Sequence, residues 1–194
     1  MAVAEIRLKK WTREEWHRLI DLGVLDDLRV ELLDGDIVEM SPQSEVHAGT
    51  VRIAAKTLDR AFGDEYTVST QLPLALGGDE LSEPEPDITV SHGSVREFAR
   101  RHPEFPILIV EVAVSSEEKD RRVKASLYAR AGRPEYWILV PEKETLEVYR
   151  DPVRDGKGFY DGWSYGTVAT LRKGDAIAPL SLPGAEIPVA DLLP

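Results

Sequence analysis

The chain contains no cysteine, so neither a disulfide framework nor a thiolate metal site is open to it. It has no apolar run long and clean enough to span a bilayer, because its most apolar stretch, Pro106 to Val114, is short and carries a carboxylate. Positive charge is also scarce. With 24 basic and 35 acidic residues the net charge is -11, which argues against a protein that coats nucleic acid through bulk electrostatics. A nuclease survives that exclusion, since a carboxylate-lined metal site is itself negative. Met1 to Lys10 lacks an apolar core followed by a small-residue cleavage site, so no secretory signal is read there and a cytoplasmic protein is expected.

What is present fits a single folding unit. A length of 194 residues suits one domain with a full core. Thr12-Arg-Glu-Glu15 is a capping-box pattern ahead of Trp16, Leu19 and Ile20, predicting a helix over 13–22. Val30 to Met40 is two alternating runs about Asp34-Gly35, a hairpin signal. A helix is expected from His47 to Phe62, with Arg52, Lys56 and Arg60 on one face at i, i+4 and i+8. That stripe reads either as a phosphate-facing surface or as a plain solvated helix face. Strands are expected at Tyr66 to Leu74, Asp87 to Val90, Ile107 to Val114, Tyr136 to Val140 and Thr145 to Arg150. Further helices are expected at Ser94 to Arg101 and at Glu117 to Ala131, the latter closed by Gly132. The glycine-rich remainder reads as a small antiparallel tail.

The chemistry centres on Glu111. It interrupts the aliphatic run Ile107-Leu-Ile-Val-Glu-Val-Ala-Val114, which reads as a strand buried on both faces. Burying a carboxylate without a partner costs several kcal/mol, so an ion pair, a hydrogen-bonded network or a metal ion is expected beside it. Asp87 opens a second β-branched run, and Lys124 lies on the helix returning from the Glu111 strand. Mg²⁺, or Mn²⁺ in its place, binds through one or two carboxylates and retained waters, which Asp87 and Glu111 supply if their strands are neighbours. Glu31 adds a further carboxylate, and His47 reaches toward a phosphate or leaving group. Lys124 also stands four residues after Asp120, the spacing of an ordinary surface ion pair.

Taken in order, Glu31-Leu-Leu-Asp-Gly-Asp-Ile-Val-Glu-Met-Ser-Pro42, His47, Pro86-Asp87, Ile109-Val-Glu-Val112, Asp120-Arg-Arg-Val-Lys124, Tyr128 and Ala131-Gly-Arg-Pro-Glu-Tyr-Trp137 resemble the Uma-type family of restriction-endonuclease-like proteins, placed in the PD-(D/E)XK nuclease superfamily. The resemblance covers residues from about 12 to 150, with an echo in Ile187 to Leu193. It implies an α/β fold, with a mixed central β-sheet flanked by helices and a small C-terminal antiparallel β appendage over about 151–194. It also implies a site of Asp87, Glu111 and Lys124, with Glu31 as the accessory acid. The superfamily's lysine usually sits two residues after the acid, where this chain has Ala113, so Lys124 from the next helix is the match. Relatives tend to carry aspartate where Val140 precedes Pro141.

The function expected is Mg²⁺-dependent hydrolysis of phosphodiester bonds in DNA, with Arg52, Lys56, Arg60 and His47 touching nucleic acid and a homodimer suited to two cuts on a duplex. The alternatives are a catalytically silent nuclease-fold module that binds nucleic acid or protein, and a metal-dependent hydrolase of a smaller substrate.

Overall fold

A computed structural model describes residues 8–100 and 103–194. The reading of the N-terminus falls largely on residues 1–7, outside the described residues.

Helix α1 (Arg13–Asp21) starts as its sequence requires. Thr12 Oγ1 accepts from the Glu15 amide, and Glu15 reaches back to the Thr12 amide. Strands β1 (Val30–Leu33) and β2 (Asp36–Glu39) form the expected hairpin. Asp34 and Gly35 both take positive φ, at 50° and 79°, and a Cβ on Gly35 would meet the Lys10 Cβ at 2.7 Å. Helix α2 (Glu45–Phe62) follows, capped by Ser44 on the His47 amide.

The main sheet has six strands: β3 (Tyr66–Thr70), β4 (Ile88–His92), β5 (Leu108–Val112), β6 (Glu135–Val140), β7 (Thr145–Gly158) and β8 (Gly162–Arg172), in that spatial order. Only β5 and β6 pair in parallel, so the sheet is mixed. The crossover between them is a π-helical turn (Lys119–Lys124) running into α3 (Ala125–Arg130). Short strands β9 (Ala176–Ile177) and β10 (Ile187–Pro188) make the small antiparallel sheet, and a 3₁₀ turn (Val189–Leu192) follows.

Alternation along β5 assigns the two faces. Leu108, Val110 and Val112, with Trp137 and Leu139, pack against Val51, Ala54, Leu58 and Phe62 of α2 and against Val189 and Leu192. Ile109 and Ala113, with Tyr136 and Ile138, pack against Leu127 and Tyr128 of α3. Burial of each large side chain contributes roughly 1.5–3 kcal/mol, so the two-sided packing holds β5 at the centre. Glu111 stands between Ile109 and Ala113 on the α3 side.

Four expectations change. β7 runs past Arg150 to Gly158 and pairs with β8 in the main sheet, so within the tail expected over 151–194 only β9 and β10 form a small antiparallel sheet of their own. β3 stops at Thr70, where Gln71 takes φ of 52° and Pro73 follows, instead of running to Leu74. The segment 94–100 is a series of turns, not a helix, and Arg101 lies outside the described residues. There the Glu97 carboxylate accepts from the Ser94 amide and hydroxyl, a capping arrangement with no buried apolar face behind it: Val95 is 69% exposed. A helix that short does not form without such packing. The helix expected over 117–131 is divided by the π-helical turn.

Candidate active site

β4 and β5 are neighbours, and their register sets Ile88 against Val110. Carried one residue beyond β4, the same register puts Asp87 across from Glu111. Pro86 has no amide with which to continue the ladder, and the Asp87 side chain takes up the exposed strand end: its Oδ2 accepts from the Val112 amide at 2.8 Å. The same oxygen lies 3.1 Å from His47 Nε2, at the start of α2. Asp87 is therefore fixed by a strand and a helix together.

Glu111 is 3% exposed and engaged through one oxygen. Its Oε1 accepts from Lys124 Nζ at 2.8 Å and from Tyr128 Oη at 2.9 Å. Lys124 also lies 3.3 Å from Glu31 Oε2, while Lys119 Nζ donates to Glu31 Oε1 at 3.0 Å and the Glu85 amide donates to Oε2 at 3.2 Å. The π-helical turn explains how two lysines reach one acid. On an α-helix, residues five apart diverge by about 140° at 100° per residue, whereas π geometry closes bonds between i and i+5. Lys119 and Lys124 thus point the same way.

The cluster is rich in carboxylates. Burial, the largest influence, pushes Glu111 well above the ordinary carboxylate range despite Lys124, with Asp87, Asp120 and Glu31 adding to the rise. Burial likewise raises Asp120 and Glu85. For Asp87 burial acts upward, but the His47 hydrogen bond, the Lys124 charge and the Val112 amide bring it below its usual value. Glu31 is also lowered, since the two lysines outweigh its burial. Burial acts to lower Lys124, yet Glu111 and Glu31 hold it well above the ordinary lysine value. Lys124 is therefore a fixed cation.

The acids surround a cleft of about 210 Å³ between α2, the π-helical turn and the ends of β4 and β5, lined by His47, Asp87, Glu111, Asp120 and Lys124 among others. Asp87 Oδ1 and Glu111 Oε2 accept no hydrogen bond from any described residue, though the second oxygen of each is engaged. His47 Nδ1 is buried and has no partner among the described residues. Among the described residues no group of three or more His, Asp or Glu side chains is arranged to hold a metal. A hard divalent ion requires less, because Mg²⁺ takes one or two carboxylates and keeps its waters. Two free carboxylate oxygens on side chains that line one cleft, within an excess of buried acid, fit such an ion.

The structure thus brings Glu31, His47, Asp87, Glu111 and Lys124 together. Glu31 is not a cleft-lining acid; it grips both lysines from behind. The surface pair expected between Asp120 and Lys124 is not formed among the described residues: Asp120 is 2% exposed and accepts from Ser116 Oγ. Arg52, Lys56 and Arg60 are exposed along α2, away from this network. Reading the residues alone assigned no role to Tyr128 or Lys119, and gave Asp120 only a surface ion pair with Lys124. Tyr128 carried a faint signal, four residues after Lys124 on the same returning helix.

No helix among the described residues is long and apolar enough to cross a membrane. No curated protein matches the chain. Among solved structures it is similar to a putative nuclease belonging to DUF820 from Anabaena variabilis, at 17% identity and a TM-score of 0.63, covering 84% of this chain and 88% of that one. That likeness establishes the fold. The model of the Uma2 family, described as "Putative restriction endonuclease", matches residues 13–190, and the chain belongs to that family.

Proposed function

We propose that the protein is a metal-dependent endonuclease that hydrolyses phosphodiester bonds in DNA, using Mg²⁺ or Mn²⁺ held by Asp87 and Glu111. The observation that carries this reading is the pair of free oxygens, Asp87 Oδ1 and Glu111 Oε2, on side chains whose other oxygens are pinned. When bound, the ion supplies the charge that polarises a phosphoryl oxygen and lowers the pKa of an attacking water.

The remaining work falls to this chain's own groups. Tyr128 and Lys124 together fix the rotamer of Glu111, as partners behind a metal ligand do elsewhere. His47 and the Val112 amide orient Asp87. Lys124 stays protonated, which suits it to neutralising charge on the transferring phosphoryl group and disqualifies it as the base. Glu31 keeps Lys124 in place. Arg52, Lys56 and Arg60 are exposed along α2 and stand about 140–220° around the helix from His47 at 100° per residue, so they offer a nucleic-acid backbone a contact on the far side of the helix from the cleft.

Calorimetric titration of Mg²⁺ and Mn²⁺ into the wild type, Asp87→Asn and Glu111→Gln tests this, together with nicking of supercoiled DNA. Binding and nicking in the wild type, lost in both variants while their melting stays near wild type, is the expected outcome. Clear destabilisation by both changes, with no metal dependence in the wild type, would mean that the acids are structural and the fold is a silent binding module.

A further inference from the structure

We propose that a groove leading from the acidic cleft to Phe159 is a base-stacking subsite, so that the strand held at Asp87 and Glu111 is single-stranded there and lays one base against the Phe159 ring. The inference rests on the nuclease reading above and assigns it a substrate form.

Phe159 lies at the turn between β7 and β8 and is 58% exposed. Its neighbour Tyr160 is turned inward at 9% exposure, its amide donates to Ser126 Oγ at 2.8 Å, and the Arg130 guanidinium sits 5.0 Å from its ring centroid. The two rings stand nearly perpendicular, 4.9 Å apart. Tyr160 therefore anchors the turn on α3 and holds Phe159 outward in a set direction.

The space beneath Phe159 is a groove of about 450 Å³ that shares Ser41, Ser115, Ser116 and Lys119 with the acidic cleft. Lys119 and Arg122 line it, and so do Glu39 and Glu118, the last paired with Arg122 at 2.8 Å. Mixed charge of this kind does not make the continuous cationic track that a duplex backbone needs. An exposed aromatic face beside Lys119 and Arg122, each already paired with a carboxylate, and opening onto the acidic cleft has the chemistry of a stacking platform for unpaired bases rather than of a phosphate track. A paired duplex offers no such face, since its bases are stacked on one another. The net charge of -11 acts in the same direction.

The test uses fluorescein-labelled oligothymidine and a duplex of equal length, titrated in Ca²⁺ with the full chain as wild type, Phe159→Ala and Phe159→Trp, with Mg²⁺-dependent cleavage of both substrates run in parallel. We expect Phe159→Ala to weaken single-strand binding at least about fivefold, Phe159→Trp to restore it, and duplex binding to move with neither. Equal single-strand affinity in all three proteins, or an equal loss for the duplex, overturns the subsite. If the wild type cleaves yet ignores Phe159, the subsite falls and the nuclease reading stands. If binding depends on Phe159 but nothing is cleaved, the reverse holds. A wild type that neither binds nor cleaves overturns both.

Discussion

Replacing Lys124 with methionine removes the only cation that touches Glu111 among the described residues while keeping most of the side-chain volume. In the native protein Lys124 Nζ lies 2.8 Å from Glu111 Oε1 and 3.3 Å from Glu31 Oε2, at 3% exposure. Breaking a buried ion pair by deleting one partner costs about 3–5 kcal/mol, because the other charge is left uncompensated. The lower end applies here. Glu31 retains Lys119 and the Glu85 amide, Glu111 retains the Tyr128 hydroxyl, and Glu111 borders a cleft. For a chain of this size each kcal/mol shifts Tm by about 2–4 °C, so a fall of about 6–12 °C in EDTA is expected. Divalent metal should then recover much of it, since a ligand at a hundred times its Kd stabilises by about 2.7 kcal/mol. Circular-dichroism melting in EDTA and in Mg²⁺ measures both, and turnover should be lost in either buffer. A variant that melts with the wild type in EDTA, or a loss that Mg²⁺ leaves untouched, refutes the reasoning.

Three further outcomes are expected. Tyr128→Phe leaves Glu111 Oε1 with Lys124 alone; metal affinity should fall about 10- to 100-fold by calorimetry, with a stability loss of only about 1–2 kcal/mol in urea titrations. Burial holds Glu111, Asp120 and Glu85 above the ordinary carboxylate range, so the folded protein binds protons there more readily than the unfolded chain. Those groups therefore weaken the metal-free fold as pH rises through the carboxylate range, and metal binding should release protons and tighten with pH. Calorimetry in buffers of differing ionisation enthalpy detects the release, and its absence across the acidic range would exclude these acids from the site. Arg52→Glu with Lys56→Glu should weaken DNA binding and flatten its salt dependence while Mg²⁺ affinity is unchanged; an unaltered salt slope would return that stripe to ordinary solvated surface.

Glu111 was legible because a charge in an aliphatic run violates a strong regularity, and the flanking Ile and Val fixed both strand and depth. Asp34-Gly35 and Thr12 with Glu15 were legible for similar local reasons. The groups around Glu111 were harder to read because they depend on how a helix crosses a sheet. Lys119 and Lys124 meet at Glu31 only through π geometry, and an α-helical reading sent Lys124 toward Asp120 instead. The Ser94 segment misled for the opposite reason: Ser94 and Glu97 make local capping contacts, but Val95 and Ala99 are exposed and Phe98 is only partly buried, too little packing to hold a helix.

The Asp87–Val112 hydrogen bond has a consequence for observing this protein. A cleft-lining carboxylate that completes a strand ladder ties the electron density of the site to a backbone amide at the centre of the sheet. The Val112 amide resonance is thereby a native spectroscopic probe, sensitive to whatever charge Asp87 bears or shares, and it needs no label beyond ¹⁵N.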